Sequence, residues 1–115
     1  MAGVVLENLA GGNVNGNTVN NLTISGTGSN IGSSAGVVSI NRASGTVTGN
    51  SFDNVTINNL ATGKEAGGVV AYCATGGNVT QGSGTLGSLK VGTANVTTNN
   101  GTASSPRGKL YGKKG

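Results

Sequence analysis

The chain has 115 residues, enough for a single domain, with 23 glycines, 9% charged residues, 3% aromatics and neither His nor Trp. This composition excludes a large aromatic core and any catalytic pair or metal set that needs an imidazole. The net charge of +4 is largely a property of one end, since four of the seven Lys and Arg residues lie in the last nine positions.

In chain order, residues 2–24 (AGVVLENLAGGNVNGNTVNNLTI) return without a gap as residues 35–57 (AGVVSINRASGTVTGNSFDNVTI). A looser third version begins at Gly67 as GGVVAYCATGGNVT and regains register at Leu86, Leu89 and Val91 after two extra residues within 81–84. A period of roughly thirty-three residues marks a stacked array. Each copy has three short apolar runs: Val-Val after Gly, a lone Val between polar neighbours, and an alternating Leu/Val-Thr/Lys-Ile/Val segment. Alternation in β-branched residues predicts strands, and the Gly, Asn and Ser between them predict turns. No window carries helical spacing.

The expected fold is therefore all-β: a parallel β-solenoid of about three coils, each built from about three strands. Repeat 1 is assigned to residues 2–34, repeat 2 to 35–66, repeat 3 to 67–98, and residues 99–115 to an extended basic C-terminal tail. Stacking predicts three core columns: Val14, Val47 and Val79; Leu22, Val55 and Leu89; Ile24, Ile57 and Val91. Asn17 over Asn50, and Thr23 over Thr56, are candidate side-chain ladders. Alternation leaves open which of Val37 and Val38 points inward.

The region around Met1 shows neither a charged leader nor an apolar stretch long enough to span a membrane, so the sequence predicts no secretory signal and no membrane span. Nothing caps the first coil. Its open edge implies a covering partner chain or an upstream repeat, unless residues 1–9 form an irregular cap of their own.

No chemistry-bearing cluster emerges. Cys73 is the only cysteine and has no basic neighbour in sequence, so it reads as a packed core residue or a spare thiol. Glu7, Asp53 and Glu65 fall in different copies and form no evident acid–base pair or metal loop. The Asn-x-Thr triplets follow from composition, and Lys90 interrupts the Thr array that an ice-binding face would need. The expectation is a non-enzymatic protein without catalytic, cofactor or metal residues.

Pro106 is expected to end the last coil, leaving Arg107, Lys109, Tyr111, Lys113 and Lys114 on a docking arm. The expected partners are other protein subunits, with surface carbohydrate a further candidate through Tyr72 and the Asn and Thr ladders. Nucleic acid is disfavoured, because four cations without interleaved base-reading residues are a weak signal.

Gly67-Gly68-Val69-Val70-Ala71-Tyr72 with Gly77-Asn78-Val79 resembles the GLUG-type repeat of bacterial surface proteins, and so do Gly36-Val37-Val38 with Gly45-Thr46-Val47 and Gly3-Val4-Val5 with Gly12-Asn13-Val14. The first two copies lack the aromatic residue of that pattern. The resemblance covers residues 2 to about 98 and implies a β-solenoid of adhesin or fibre type, with no catalytic residue. Two functional expectations follow. One is a virion-surface subunit, a capsid decoration or fibre of a bacteriophage. The other is a repeat segment of a secreted adhesin or a self-stacking extracellular filament.

Overall fold

The computed structural model describes residues 1–27 and 31–115; the end of the first repeat, residues 28–30, lies outside the described residues. Among the described residues the protein is all-β, with strands β1 (Val5–Asn8), β2 (Asn13–Asn15), β3 (Thr18–Ser25), β4 (Ser34–Ala35), β5 (Val38–Asn41), β6 (Thr46–Thr48), β7 (Ser51–Asn58), β8 (Ala66–Gly67), β9 (Val70–Cys73), β10 (Asn78–Thr80), β11 (Leu89–Val91), β12 (Ala94–Val96), β13 (Arg107–Gly108) and β14 (Tyr111–Lys114). No helix among them is long and apolar enough to cross a membrane.

The strands form four separate sheets, with orders β1-β5-β9-β14, β10-β6-β2, β12-β11-β7-β3 and β13-β8-β4. All pairings are parallel except that of β11 with β12. Apart from β11 and β12, strands adjacent in a sheet are distant in sequence. Val47 lies in register with Val14 and Val79, Val55 with Leu22 and Leu89, and Ile57 with Ile24 and Val91. The middle member is the most deeply buried where the flanking two are end residues: Val47 is 0% exposed, against 7% for Val14 and 9% for Val79. A side chain with neighbours on both sides loses more water contact than one at an edge.

Local chemistry sets the bends within the long strands. Asn21 and Asn54 occupy equivalent points inside β3 and β7 with φ of 58° and 52°. Asn enters the left-handed region at lower cost than other side chains. The Asn54 amide also donates to Asn21 Oδ1 (2.9 Å), tying one bend to the next. At Gly68 a Cβ would lie 2.1 Å from the Phe52 ring, so the glycine makes room for the one phenylalanine, itself 1% exposed. Val37 and Val38 are both fully buried, so the strand start is covered on both faces.

The structure corrects four expectations. First, each repeat contributes a further short segment, as at Ser34–Ala35 and Ala66–Gly67. These residues are too few and too small to give a period-two signal. Second, the array is not wholly parallel, because β12 folds back on β11 through a two-residue turn in which Gly92 has φ 61°. Third, residues 107–114 do not form an extended arm. β13 pairs with β8 and β14 with β9, both parallel, starting a fourth row. Fourth, Pro106 does not stop the ladder: its carbonyl accepts from Ala66 N (2.9 Å), a bond that needs no proline N–H.

The two extra residues of the third repeat lie in a turn. Thr80 pairs with Thr48 and Leu86 bridges to Phe52, and residues 81–84 close on themselves through Gly84 N donating to the Gln81 carbonyl (2.9 Å).

Candidate functional site

The buried asparagines bridge successive rows. Asn41 is 0% exposed. Its Oδ1 accepts from the Asn8 amide (2.8 Å), and its own amide donates to the carbonyls of Gly45 (3.1 Å) and Asn78 (3.2 Å). Asn50, 1% exposed, accepts from Asn17 N (2.9 Å) and Asn17 Nδ2 (3.0 Å) and donates to the Val14 carbonyl (2.8 Å). Thr23 and Thr56 are in register, with Lys90 as the third member. The hydroxyl contact between rows joins Thr48 and Thr80 instead.

Each acid has a local partner. Glu7 pairs with Arg42 (3.0 Å), Asp53 Oδ1 accepts from the backbone of Asn54 and Ser88 (both 2.9 Å), and Glu65 accepts from the Ser33 hydroxyl. No group of three or more His, Cys, Asp or Glu that could hold a metal ion occurs among the described residues.

The Arg42 hydrogen bond and its positive charge hold the Glu7 carboxyl below the usual carboxylate range. A depressed pKa means that the pair's small contribution to stability is present above the unfolded carboxyl pKa and is lost as pH falls through the lower folded value. Arg42→Ala should move the Glu7 titration upward, read from its side-chain carboxyl resonance; an unmoved midpoint would show that the pair does not form in solution.

Cys73 is free and 0% exposed, ending β9 beside the Asn41 amide (3.6 Å to Sγ). A thiol reagent should label it only after denaturation. Rapid labelling of the folded protein would contradict this packing.

The remaining candidate surfaces are the two ends of the array. At the first end β1, β2 and β3 are all edge strands. Here stand the exposed large apolar side chains of the described residues: Met1 (49%), Val4 (47%), Leu6 (66%) and Leu9 (61%). Their counterparts elsewhere are buried, polar or small. Val37 and Val69 occupy the Val4 position at 0% and 1%, while Ser39 and Arg42 stand where the first copy has Leu6 and Leu9. Sequence comparison missed this cluster, although its signal was present: at these two positions the first copy departs from its repeat toward apolar residues.

The other end is cationic. Arg107 and Lys114 are exposed, and Lys109, Tyr111 and Lys113 are half-buried. Arg107 borders two shallow hollows, of about 260 Å³ beside Thr97 and Thr98 and about 360 Å³ beside Lys64 and Ser104. Lys113 continues the column of Glu7, Ile40 and Tyr72. The five residues expected on a docking arm are thus strand and turn residues of the fourth row. No protein-family model matches the chain, and no curated protein or solved structure matches it either.

Proposed function

We propose that this chain is a non-enzymatic structural protein, a parallel β-solenoid of about three coils that serves as a rigid subunit of a virion surface, as a capsid decoration or fibre. The observation that carries the reading is the open first row, whose edge strands and exposed Met1, Val4, Leu6 and Leu9 present backbone and apolar groups to a neighbour. In-register rows joined by buried Asn contacts supply stiffness. The cations of the last row, Arg107, Lys109, Lys113 and Lys114, offer a second contact to an acidic protein surface, with Tyr111 beside them. The resemblance to GLUG-type repeats agrees with a surface role, and surface carbohydrate is a secondary partner through Tyr72.

A second reading, an adhesin segment or self-stacking extracellular filament, draws on the column that starts at Glu7 and ends at Lys113. A following copy would set opposite charges side by side there. Immunogold labelling of a producing culture with an antibody to this chain separates the two. Label on particles released by lysis supports the virion reading, label on cell surfaces or filaments supports the second, and label confined to the cell interior overturns both.

A further inference from the structure

We propose that the 115-residue chain binds a second copy of itself, first row against first row, to form a closed two-fold dimer. This rests on the surface-assembly reading above and specifies which end self-associates.

Four observations select the occupant. The exposed large apolar side chains of the described residues, Met1, Val4, Leu6 and Leu9, all stand at one end. The apolar surface that complements them on this molecule is the same patch on another copy, which is the condition for an isologous contact.

Leu6 argues against a further ordinary row as the cover. Its column continues through Ser39, Ala71 and Gly112, all small. The reason for small residues there is close backbone: a Cβ on Gly112 would lie 2.6 Å from the Ala66 carbonyl oxygen and 2.9 Å from that of Pro106, and Ser39 Oγ already donates to the Ser33 carbonyl at 2.6 Å. A leucine does not fit that column once a neighbouring segment fills in, so Leu6 suits a face that meets something other than the next repeat.

Charge gives the third selection. Glu7 is neutralised by Arg42 at the first end, whereas the other end carries Arg107, Lys109, Lys113 and Lys114. Two cationic ends repel, and a cationic end is a poor cover for leucines.

Shape gives the fourth. Among the described residues the first end is flush: β1, β2 and β3 lie at the edges of three sheets, and Ala2 bridges to Ala35 of β4 at the edge of the fourth. The other end is stepped: β14 is the fourth strand of its sheet and β13 the third of its own, β12 runs antiparallel, and β10 has no strand beyond it. Head-to-tail stacking that seats β1 on β14 therefore leaves β2 about two strand spacings from β10. Two flush ends meet without that gap, and a two-fold axis through β1 sets it antiparallel to its copy.

Four rows about 4.8 Å apart span only about 15 Å, so the 35 Å extent lies in the plane of the end face, which with a shorter extent of 22 Å gives roughly 600 Å² per copy, at the low end of specific interfaces and hence dilution-sensitive. Sedimentation equilibrium of the full chain should show twice the 11.0 kDa chain mass at high concentration, falling toward the single mass on dilution. Leu6→Lys with Leu9→Lys should weaken association at least about ten-fold while leaving the circular dichroism spectrum unchanged, because both side chains are largely exposed. Lys113→Ala with Lys114→Ala should leave the dimer intact.

A folded monomer at all concentrations, a dimer indifferent to the two leucines, or open-ended fibres would each overturn the proposal. A folded monomer leaves the surface-assembly reading to the labelling experiment. Label confined to the cell interior overturns that reading whatever the mass in solution.

Discussion

Removal of residues 107–115 should lower the melting temperature by more than about 10 °C, on the scale where each kcal/mol shifts a domain of this size by several degrees. A loose basic arm would be dispensable. Here the segment holds the open side of the third row: Gly68, Val69 and Val70 donate to the carbonyls of Gly108, Lys109 and Leu110 at 3.0 Å each. Its loss would expose Ala66, Val69, Val70 and Cys73, all at 1% exposure or less, along with their unpaired backbone. Point substitutions separate backbone pairing from charge. Gly112→Ala should be destabilising, because its Cβ would meet three carbonyl oxygens within 2.9 Å. Lys113→Ala and Lys114→Ala, which remove two cations, should change stability by less than about 0.5 kcal/mol. The opposite ranking, or an unchanged melting temperature on truncation, would return the segment to a solvated tail.

Asn41→Asp should cost about 3–5 kcal/mol by urea denaturation at neutral pH, because it sets an unpaired charge in a buried site. The amide that donates to Gly45 and Asn78 becomes an acceptor facing two acceptors, and burial raises the pKa of the introduced carboxyl. A raised folded pKa reverses the usual acid behaviour: the deficit shrinks as pH falls through it, since protonation restores one donor. Asn41→Ala should cost less, about 1–3 kcal/mol, because the Asn78 carbonyl loses the Asn41 donor while the Asn8 amide keeps the Gly12 carbonyl and the Gly45 carbonyl keeps Asn78 N. A loss below about 1 kcal/mol for Asn41→Asp, or no relief in acid, would show that the site is wet or open.

These two sites mark how far the sequence could be read. The alternating segments were legible because Leu22, Val55 and Leu89 repeat with β-branched neighbours at a nearly constant offset, and a strand needs little more to be seen. The Asn17 and Asn50 contact was also visible, as identical residues at one offset. The Asn8 and Asn41 contact was equally available, as identical residues at the same offset.

The fourth row was missed for a different reason. Gly108-Lys109-Leu110-Tyr111 answers Gly67-Gly68-Val69-Val70 in register, yet its lysines read as solvated tail. Parallel pairing is made by backbone groups, and an edge row tolerates long charged side chains whose stems cover apolar surface. The two-residue segments at Ser34–Ala35 and Ala66–Gly67 left no pattern at all, because Ser, Ala and Gly carry no alternation. The exposed leucines of the first row were overlooked because a repeat alignment weights agreement between copies, whereas a surface for a partner shows itself as disagreement.

Successive copies lie side by side in parallel register, and methyl NOE spectroscopy of the full chain tests this pairing. Contacts are expected from Val47 to both Val14 and Val79, from Val55 to both Leu22 and Leu89, and from Leu110 to Val69, without direct contact between Val14 and Val79. Contacts confined within each repeat, with sequential strands paired as antiparallel hairpins and no Val47 contact to either neighbouring copy, would contradict it.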